Sequence, residues 1–188
     1  MIIILNGAPN SGKDTTGDFL EAAGLQRYSF KKPMFDIAKA VLPEDSYDFF
    51  MRDYNNREQK ERPQEYLGGL SIRQFMIHIS EQWVKPTFGG SHFGKLAADN
   101  ISALDTVVTD GGFPAEVVPL LQKGHKVIIV RLHRKNCTFA GDSRTMLTSS
   151  DFSHLPFTKQ PVFLDVEVVE GYPNEAGETI LRKVYERI

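Results

Sequence analysis

The feature that most constrains the fold is a glycine-containing loop that directly follows an apolar run. Ile2 to Leu5 form a continuous apolar, mostly β-branched run, which is typical of a parallel strand covered on both faces. The next residues, Gly7-Ala8-Pro9-Asn10-Ser11-Gly12-Lys13, match the pattern G-x-x-x-x-G-K, and we predict a helix from about Lys13 to Ala22. The order of strand, loop and helix is the one that a phosphate-binding loop requires, and it argues against a chance glycine turn.

The chemistry of this loop depends on its backbone and on one cation. Backbone N–H groups at a helix N-terminus form a cradle for an anion, and the helix dipole adds to the attraction. Gly12 lets the backbone approach a phosphate closely, and Lys13 reaches the β and γ oxygens. The predicted phosphate-binding residues are Ala8, Pro9, Asn10, Ser11, Gly12, Lys13, Asp14, Thr15 and Thr16.

The loop departs from the usual pattern directly after the lysine. Asp14 stands where a Ser or Thr is usual, and Thr15 and Thr16 follow it. Asp14 has two interpretations: a favourable acid in the first turn of a helix, or a catalytic residue that helps to hold Mg²⁺ or the acceptor hydroxyl. We favour the first.

The rest of the chain alternates between strand and helix patterns. Further strands are predicted at 28–30, 106–109, 126–132 and 162–169, with helical segments between them. This alternation predicts a three-layer α/β fold, with a mostly parallel five-stranded sheet and helices on both faces. A helix after the N-cap Ser71 is predicted to bury one face, which is formed by Ile72, Phe75, Met76, Ile79 and Trp83.

Composition excludes several classes of protein. The 22 basic and 24 acidic residues give a net charge of −2, whereas a general nucleic-acid binder is usually basic, so any DNA contact needs a local patch. The single cysteine, Cys137, excludes an internal disulfide and fits the cytoplasm. No stretch approaches the ~20 apolar residues that a membrane span needs, so we expect no membrane partner.

Asp110 follows the predicted strand 106–109. Ligands of open α/β sheets bind beyond the carboxyl ends of the strands, so Asp110 is expected to hold a Mg²⁺-bound water. The alternative is an aspartate that begins a turn at Gly111-Gly112. Phe113 is either a core residue or a platform on which a base stacks.

The segment from Val117 to Gly141 contains no acidic residue, and Arg134 lies within it. Arg144 follows in Gly141-Asp142-Ser143-Arg144. Because phosphoryl transfer spreads negative charge over oxygens, a guanidinium on a mobile loop can stabilise it, and both arginines are catalytic candidates. The alternative is a solvated basic loop.

The predicted acceptor side comprises two helix starts and a charged insertion, with the candidates Lys31, Lys32, Asp36, Arg57 and Arg73.

Together these features resemble the deoxynucleoside monophosphate kinases of tailed phages, within the adenylate kinase-like P-loop kinases. The residues that carry the resemblance are Ser11-Gly12-Lys13-Asp14-Thr15-Thr16-Gly17-Asp18-Phe19, Pro33-x-x-Asp36, Ser71-x-Arg73, Asp110 and Val127-Ile128-Ile129-Val130-Arg131. The resemblance implies a single P-loop kinase domain over 1–188, an acceptor-binding insertion at about 31–105 and a lid at about 133–160.

The resemblance also implies the chemistry. ATP and Mg²⁺ are the expected co-substrates, Thr15 and Asp110 organise the metal, and Arg134 and Arg144 close over the transferring group, with Arg134 covering the adenine. The acceptor is expected to be a nucleotide, most simply a deoxynucleoside monophosphate, held by Lys31, Lys32, Asp36, Arg57, Arg73, Asp110 and Phe113.

Two departures concern this acceptor. Members of the family often carry a basic residue where Phe35 stands, and an Arg soon after the strand-end acid, where Gly111-Gly112-Phe113 stands here. The alternative is therefore a related kinase that phosphorylates a 5-hydroxymethylpyrimidine base within phage DNA. A nucleotide-dependent regulatory module is disfavoured, because the chain has no Asn-Lys-x-Asp and no Asp-x-x-Gly at Asp110. The sequence does not predict the oligomeric state.

Overall fold

Five parallel strands form a single sheet in the computed structural model, which describes residues 1–142 and 144–186. The strands are β1 (Ile2–Gly7), β2 (Gln26–Tyr28), β3 (Thr106–Val108), β4 (Val127–His133) and β5 (Val162–Glu167), and their order across the sheet is β2-β3-β1-β4-β5. β1 lies at the centre, and its residues Ile2, Ile3 and Ile4 pair with both β3 and β4. The carboxyl end of β1 therefore lies at the middle of the row formed by the carboxyl ends of the five strands.

Alternate residues of the central strands pack on opposite faces of the sheet. Ile2 and Ile4 belong to one hydrophobic cluster, whereas Ile3 and Leu5 belong to another, and all four are almost completely buried. This explains why the run has no polar alternation: both faces are covered. The structure confirms the predicted α/β fold with a parallel five-stranded sheet and helices on both faces.

The helices reproduce most of the predicted segments. In chain order they are α1 (Lys13–Ala22), α2 (Lys32–Val41), α3 (Glu44–Tyr54), α4 (Arg57–Glu61), α5 (Ile72–Ile77), α6 (Lys85–Phe88), α7 (His92–Asn100), α8 (Pro114–Gln122) and α9 (Pro173–Tyr185). Short 3₁₀ turns occur at Glu65–Leu67, Ser149–Phe152 and Phe157–Lys159. Within the described part of the chain, we find no helix with the length and apolarity that crossing a bilayer requires.

The chain divides into two compact units, which we describe separately. The first comprises Met1–Phe30 and Phe93–Ile188, and the second comprises Lys31–His92. The second unit is shorter than the predicted insertion at 31–105. Residues 93–105 belong to the first unit, because Phe93, Ala97 and Ala98 of α7 are buried there.

The helix after Ser71 corrects one expectation. Its start is as predicted: the Ser71 hydroxyl accepts from the Gln74 N–H, and the Gln74 side chain accepts from the Ser71 N–H. The expectation that Trp83 is buried is wrong, since 49% of it is exposed, while Val84 is buried. A π-helical segment, His78–Val84, lies between α5 and α6. Its wider turn moves the inward position by one residue, which 3.6-residue spacing does not anticipate.

The segment predicted as a lid is packed over its second half. Leu147, Phe152 and Leu155 are buried in the same cluster as Ile2 and Ile4. The sequence between 133 and 160 is polar overall, and these isolated apolar residues have no periodicity that marks them as core. The lid role of residues 133–160 stays a prediction.

Candidate active site

The loop between β1 and α1 has the backbone conformation of an anion cradle. Gly12, the residue before α1, has a φ of +93°, and Asn10 has a φ of +64°. Glycine adopts this left-handed conformation at no steric cost, which explains its place directly before the lysine. The Thr16 N–H donates to the Gly12 carbonyl at 2.9 Å, so the earlier N–H groups lie at the exposed start of the helix.

Lys13 and Ser11 face this loop. The Lys13 Nζ donates to the carbonyl oxygens of Gly7 and Ala8, at 2.7 Å each, and so lies against the loop. The Ser11 side chain is fully buried, and its hydroxyl has no hydrogen-bond partner among the described residues. A buried hydroxyl without a partner is rare in folded proteins and calls for an explanation. A bound phosphate oxygen would supply the missing partner.

Arg134 connects the loop to the segment after β5. Its Nη1 donates to the Asn10 carbonyl at 3.0 Å, and its Nη2 lies 3.1 Å from the Glu170 carboxylate. A cavity of about 270 Å³ opens beside it, lined by Gly12, Thr15, Thr16, Arg134 and the segment 168–171. This places one predicted arginine and both threonines around a single cavity next to the phosphate loop.

Asp14 makes the contacts of a surface acid. Its carboxylate lies 3.3 Å from Nη2 of Arg27, which also pairs with Asp18 and donates to the Thr109 hydroxyl at 3.4 Å. The Asp14 side chain is 84% exposed. These contacts agree with the first-turn interpretation, and a catalytic role for Asp14 stays a prediction.

Asp110 links the end of β3 to the segment after β2. Its Oδ2 accepts from the Ser29 hydroxyl at 2.6 Å, and its Oδ1 accepts from the Phe30 N–H at 3.1 Å. These contacts fix the carboxylate at the carboxyl end of β3. The metal role of Asp110 stays a prediction.

The donor set fits Mg²⁺ better than a transition metal. In the described ranges, no three or more His, Cys, Asp or Glu side chains cluster in a way that would hold a metal. Mg²⁺ does not need such a cluster, because it typically keeps several waters and takes substrate phosphates with one or two protein oxygens. The Thr15 hydroxyl and the Asp110 carboxylate would supply oxygens of this kind, and their metal role stays a prediction.

Arg144 is held by Asp142, a residue that sequence reasoning did not select. Its Nε and Nη2 donate to the two carboxylate oxygens of Asp142, at 2.9 and 2.7 Å, and its backbone N–H donates to Oδ1 at 2.9 Å. The hydrogen bonds from Arg144 lower the pKa of Asp142 to about 2, although partial burial opposes them. The pKa of Arg144 is raised, mainly by the same hydrogen bonds and with smaller contributions from the charges of Asp110 and Glu116.

Gly112 leaves the space in which Arg144 lies. A Cβ at residue 112 would be 2.6 Å from Cδ of Arg144 and 2.8 Å from its Cγ, closer than real Cβ atoms approach. Gly112 thus has a packing reason: it admits an arginine from a distant part of the chain, whereas a Cβ at Gly111 would meet Ile4. The cation that the sequence lacks after Asp110 is brought there by the loop that follows β4.

Asn6 fixes this loop to the central strand. Its Nδ2 donates to the Thr145 carbonyl at 3.2 Å, and its Oδ1 accepts from the Leu147 N–H at 2.8 Å. Asn6 is buried and directly precedes Gly7, so the segment that carries Arg144 is anchored beside the phosphate loop. A polar residue at the end of an apolar strand is the sequence signal that could have identified it.

The second unit contains a group of cations around Tyr54. The Lys31 Nζ lies 3.4 Å from the Tyr54 hydroxyl, and the Lys60 Nζ lies 3.5 Å from the centre of its ring. Burial lowers the pKa of Lys60, and the charges of Lys31 and Arg73 lower it further. Arg73 itself pairs with Glu61 at 2.7 Å. Two predicted acceptor residues therefore share one neighbourhood with Lys60, which the sequence analysis did not select.

The remaining predicted acceptor residues are placed differently. Lys32 and Asp36 pair with each other at 2.8 Å on the exposed surface of α2. Phe113 is the half-buried residue before α8 and lies in the first unit. Arg57 begins α4, but its side chain lies outside the described part of the structure. The roles of all four residues stay predictions.

Comparisons with known proteins identify no family for this chain. No protein-family model matches the sequence, and no curated protein matches it significantly. Among solved structures, a shikimate kinase from Aquifex aeolicus vf5 is similar, with a TM-score of 0.45 and 16% identity, covering 100% of this chain and 98% of that chain. A dephospho-CoA kinase from Campylobacter jejuni is also similar, with a TM-score of 0.47 and 9% identity, covering 99% of this chain and 98% of that chain. Likeness at this level carries no inference about substrate.

Proposed function

We propose that this protein is an ATP-dependent phosphotransferase that transfers the γ-phosphate to a deoxynucleoside monophosphate. The observation that carries the proposal is the loop between β1 and α1. It combines a left-handed Gly12, a lysine ammonium lying against the loop and a buried Ser11 hydroxyl without a partner in the described residues. A helix N-terminus built in this way attracts a polyphosphate through backbone N–H groups, the helix dipole and one point charge.

The first unit takes the phosphate donor in this proposal. The loop N–H groups and Lys13 bind the β- and γ-phosphates, and the Ser11 hydroxyl turns to a phosphate oxygen. The nucleoside occupies the cavity of about 270 Å³ beside Thr15 and Arg134. The guanidinium of Arg134, held by Asn10 and Glu170, covers the base there through stacking and cation–π attraction.

Mg²⁺ would be held by the Thr15 hydroxyl and, through water, by Asp110. When bound, the ion neutralises charge on the β- and γ-phosphate oxygens. The Asp110 carboxylate is also held in position: it accepts hydrogen bonds from the Ser29 hydroxyl and the Phe30 N–H, which fix it at the carboxyl end of β3.

Arg144 stabilises the charge that develops on the transferring group. In phosphoryl transfer most catalysis is positioning and electrostatic stabilisation, so a fixed guanidinium near the γ-phosphate is the group that the reaction needs. Gly112 and Asn6 supply the position, since one gives space to the side chain and the other anchors its loop. A monophosphate acceptor is already ionised near neutral pH, so no residue has to act as a general base.

The second unit binds the acceptor in this proposal. Lys31 and Lys60 both lie against Tyr54, and the charges of Lys31 and Arg73 lower the pKa of Lys60. A dianionic phosphate would relieve this repulsion among cations, although Arg73 also pairs with Glu61. Phe35 packs edge-on against Tyr54, with 4.9 Å between the ring centres, and carries no charge. In this proposal Lys60 of α4 compensates for the cation that is absent at Phe35, since both side chains contact Tyr54.

A kinase that phosphorylates a 5-hydroxymethylpyrimidine base in DNA is the second candidate. The same three cations favour it, because they suit backbone phosphates of DNA as well as a free monophosphate. The two acceptors differ in chemistry: a base hydroxymethyl group would need a proton acceptor, whereas a monophosphate would not.

Removal of the Lys13 ammonium tests the donor half of the proposal. We expect Lys13→Ala to lower kcat/KM by about 10²–10³-fold or more, since it removes a charged contact to the transferring group. Lys123→Ala is the matched control, because Lys123 pairs with Asp99 on the surface, just before the amino end of β4. Near-normal turnover by Lys13→Ala, or an equal loss in both variants, would refute the assignment.

A further inference from the structure

Asp142 holds the guanidinium of Arg144 in the way that a phosphate would. Two N–H groups of the guanidinium donate to the two carboxylate oxygens, a fork-to-fork arrangement that arginine also makes with phosphate. The Asp142 side chain is only 14% exposed, and that of Arg144 is 24% exposed, so water competes weakly for either partner. The face of Arg144 that a phosphate would use is already occupied by a carboxylate.

The anchored loop places this pair beside the phosphate loop. Asn6, the residue before Gly7, binds Thr145 and Leu147, and only two residues separate Asp142 from Thr145 in the sequence. The electrostatic surroundings agree, because the charge of Lys13 contributes to the lowered pKa of Asp142. The carboxylate therefore shares both of its neighbouring cations with the phosphates that the loop is built to bind.

The charge balance around Arg144 favours exchange of partners. Asp142, Asp110 and Glu116 all act on this one guanidinium, so a phosphate brought to Arg144 enters a region with an excess of carboxylates. Asp110 and Glu116 act on Arg144 through space, whereas Asp142 is bound to it directly through two side-chain hydrogen bonds. Asp142 is thus the anion that an arriving phosphate displaces.

We propose that Asp142 is an internal competitor of the nucleotide's terminal phosphate, and that it holds Arg144 until that phosphate takes over the guanidinium. The inference rests on the proposed function and adds an affinity-determining residue to it. The Asp142–Arg144 ion pair must break when the phosphate donor binds, and this cost lowers the affinity for the donor. The same exchange couples Arg144 to the presence of a γ-phosphate, because a ligand without that phosphate leaves Asp142 in place.

The test is a binding measurement on the whole protein with three probes: ATP, inorganic triphosphate and adenosine. Asp142→Asn keeps the size of the side chain and one acceptor oxygen but removes the charge. We expect it to bind ATP and triphosphate about tenfold more tightly, a change of about 1.4 kcal/mol, and adenosine as the wild type does. Asp99→Asn is the matched control, because it removes a carboxylate that pairs with Lys123 on the surface. It should leave the affinities for all three probes unchanged.

A double-mutant cycle separates competition from simple repulsion. In an Arg144→Ala background, Asp142→Asn should gain no more than about twofold in triphosphate affinity, because there is no guanidinium to release. Asp142→Ser serves as the second charge-removing variant if Asp142→Asn does not fold. Equal or weaker triphosphate binding by the charge-removing variant that folds, or an equal gain for adenosine, would overturn the inference.

Failure of this inference is distinguishable from failure of the proposed function. If the wild type binds triphosphate in a Lys13-dependent manner and removal of the Asp142 charge gives no gain, only the role of Asp142 is wrong. If the wild type binds neither ATP nor triphosphate, both proposals fall.

Discussion

Asn6 anchors the loop that carries Arg144 to the central strand, and the effect of removing its side chain on stability can be calculated. Asn6→Ala abolishes the hydrogen bonds to the Thr145 carbonyl and the Leu147 N–H, which join positions 139 and 141 residues away in the sequence. Leu147 is completely buried, so its N–H has no water to replace the lost partner. The substitution therefore leaves a buried donor unsatisfied as well as removing two contacts.

The expected loss is about 2–5 kcal/mol, from two hydrogen bonds and the desolvation of one buried N–H. At about 2–4 °C per kcal/mol for a chain of this size, the thermal midpoint should fall by about 4–20 °C. Activity at a temperature well below the new midpoint should fall as well, because the loop that carries Arg144 loses its anchor.

The assay combines thermal unfolding, followed by circular dichroism, with steady-state kinetics at 15 °C. Asn100→Ala is the control, since the exposed Asn100 side chain donates to the Leu96 carbonyl of its own helix and does not join distant parts of the described chain. Its loss should stay within about 0.5 kcal/mol. A midpoint for Asn6→Ala equal to that of the control would refute the reasoning. So would a large fall in stability with wild-type kcat, because Arg144 would then not depend on the anchor.

Three further predictions concern Gly112, Lys60 and Asp142. Gly112→Ala should lower kcat by about 10²-fold, because the added methyl group displaces Arg144. Gly90→Ala is the control and should leave kcat unchanged, since a Cβ there meets no atom within 4 Å. Similar kcat values for the two variants would contradict the packing argument. Lys60→Met should raise the KM for the acceptor by about tenfold with little change in the KM for ATP. Lys39→Met, on α2 of the same unit, is its control. A rise in the KM for ATP instead would contradict the assignment of Lys60 to acceptor binding. Since the pKa of Asp142 is lowered from 3.8 to about 2, the stabilisation from its ion pair is present above pH 4 and lost as the pH falls towards 2. Asp142→Asn should thus be less stable than the wild type at pH 7, with a gap in the free energy of unfolding that narrows between pH 4 and pH 2; a gap independent of pH would contradict this.

The elements that the sequence predicted well are those with a local physical cause. The apolar run, Gly12 and the helix after Lys13 follow from patterns within about 20 residues, and α1 has the predicted bounds. Ser71 predicted a helix start for the same reason, and the structure adds Gln74 as the partner in its capping box. β1 and β3 are fully buried and β4 is mostly buried, so their continuous apolar runs predicted them. β2 is an edge strand with an exposed to half-buried surface, and it lies at Gln26–Tyr28 rather than at the predicted 28–30.

The contacts that the sequence did not reveal join distant residues or depend on irregular backbone. Gly112 looked like a turn residue, and only the fold shows that it admits Arg144. Asp142 lies two residues from Arg144, yet a short acidic–basic pattern in a loop usually describes a solvated surface. Lys60 was hidden in an insertion with equal numbers of both charges, and Trp83 was misplaced because no pattern announced the π-helical segment.

The most direct test of the central claim is transfer of label from γ-labelled ATP by the wild-type protein. The acceptors are the individual deoxynucleoside monophosphates and, separately, DNA that contains 5-hydroxymethylpyrimidine. We predict label in a deoxynucleoside diphosphate, at a rate that Lys13→Ala abolishes and Lys123→Ala does not. Label in the DNA alone would support the second candidate for the acceptor. ATP binding without transfer to any of these acceptors would contradict the account.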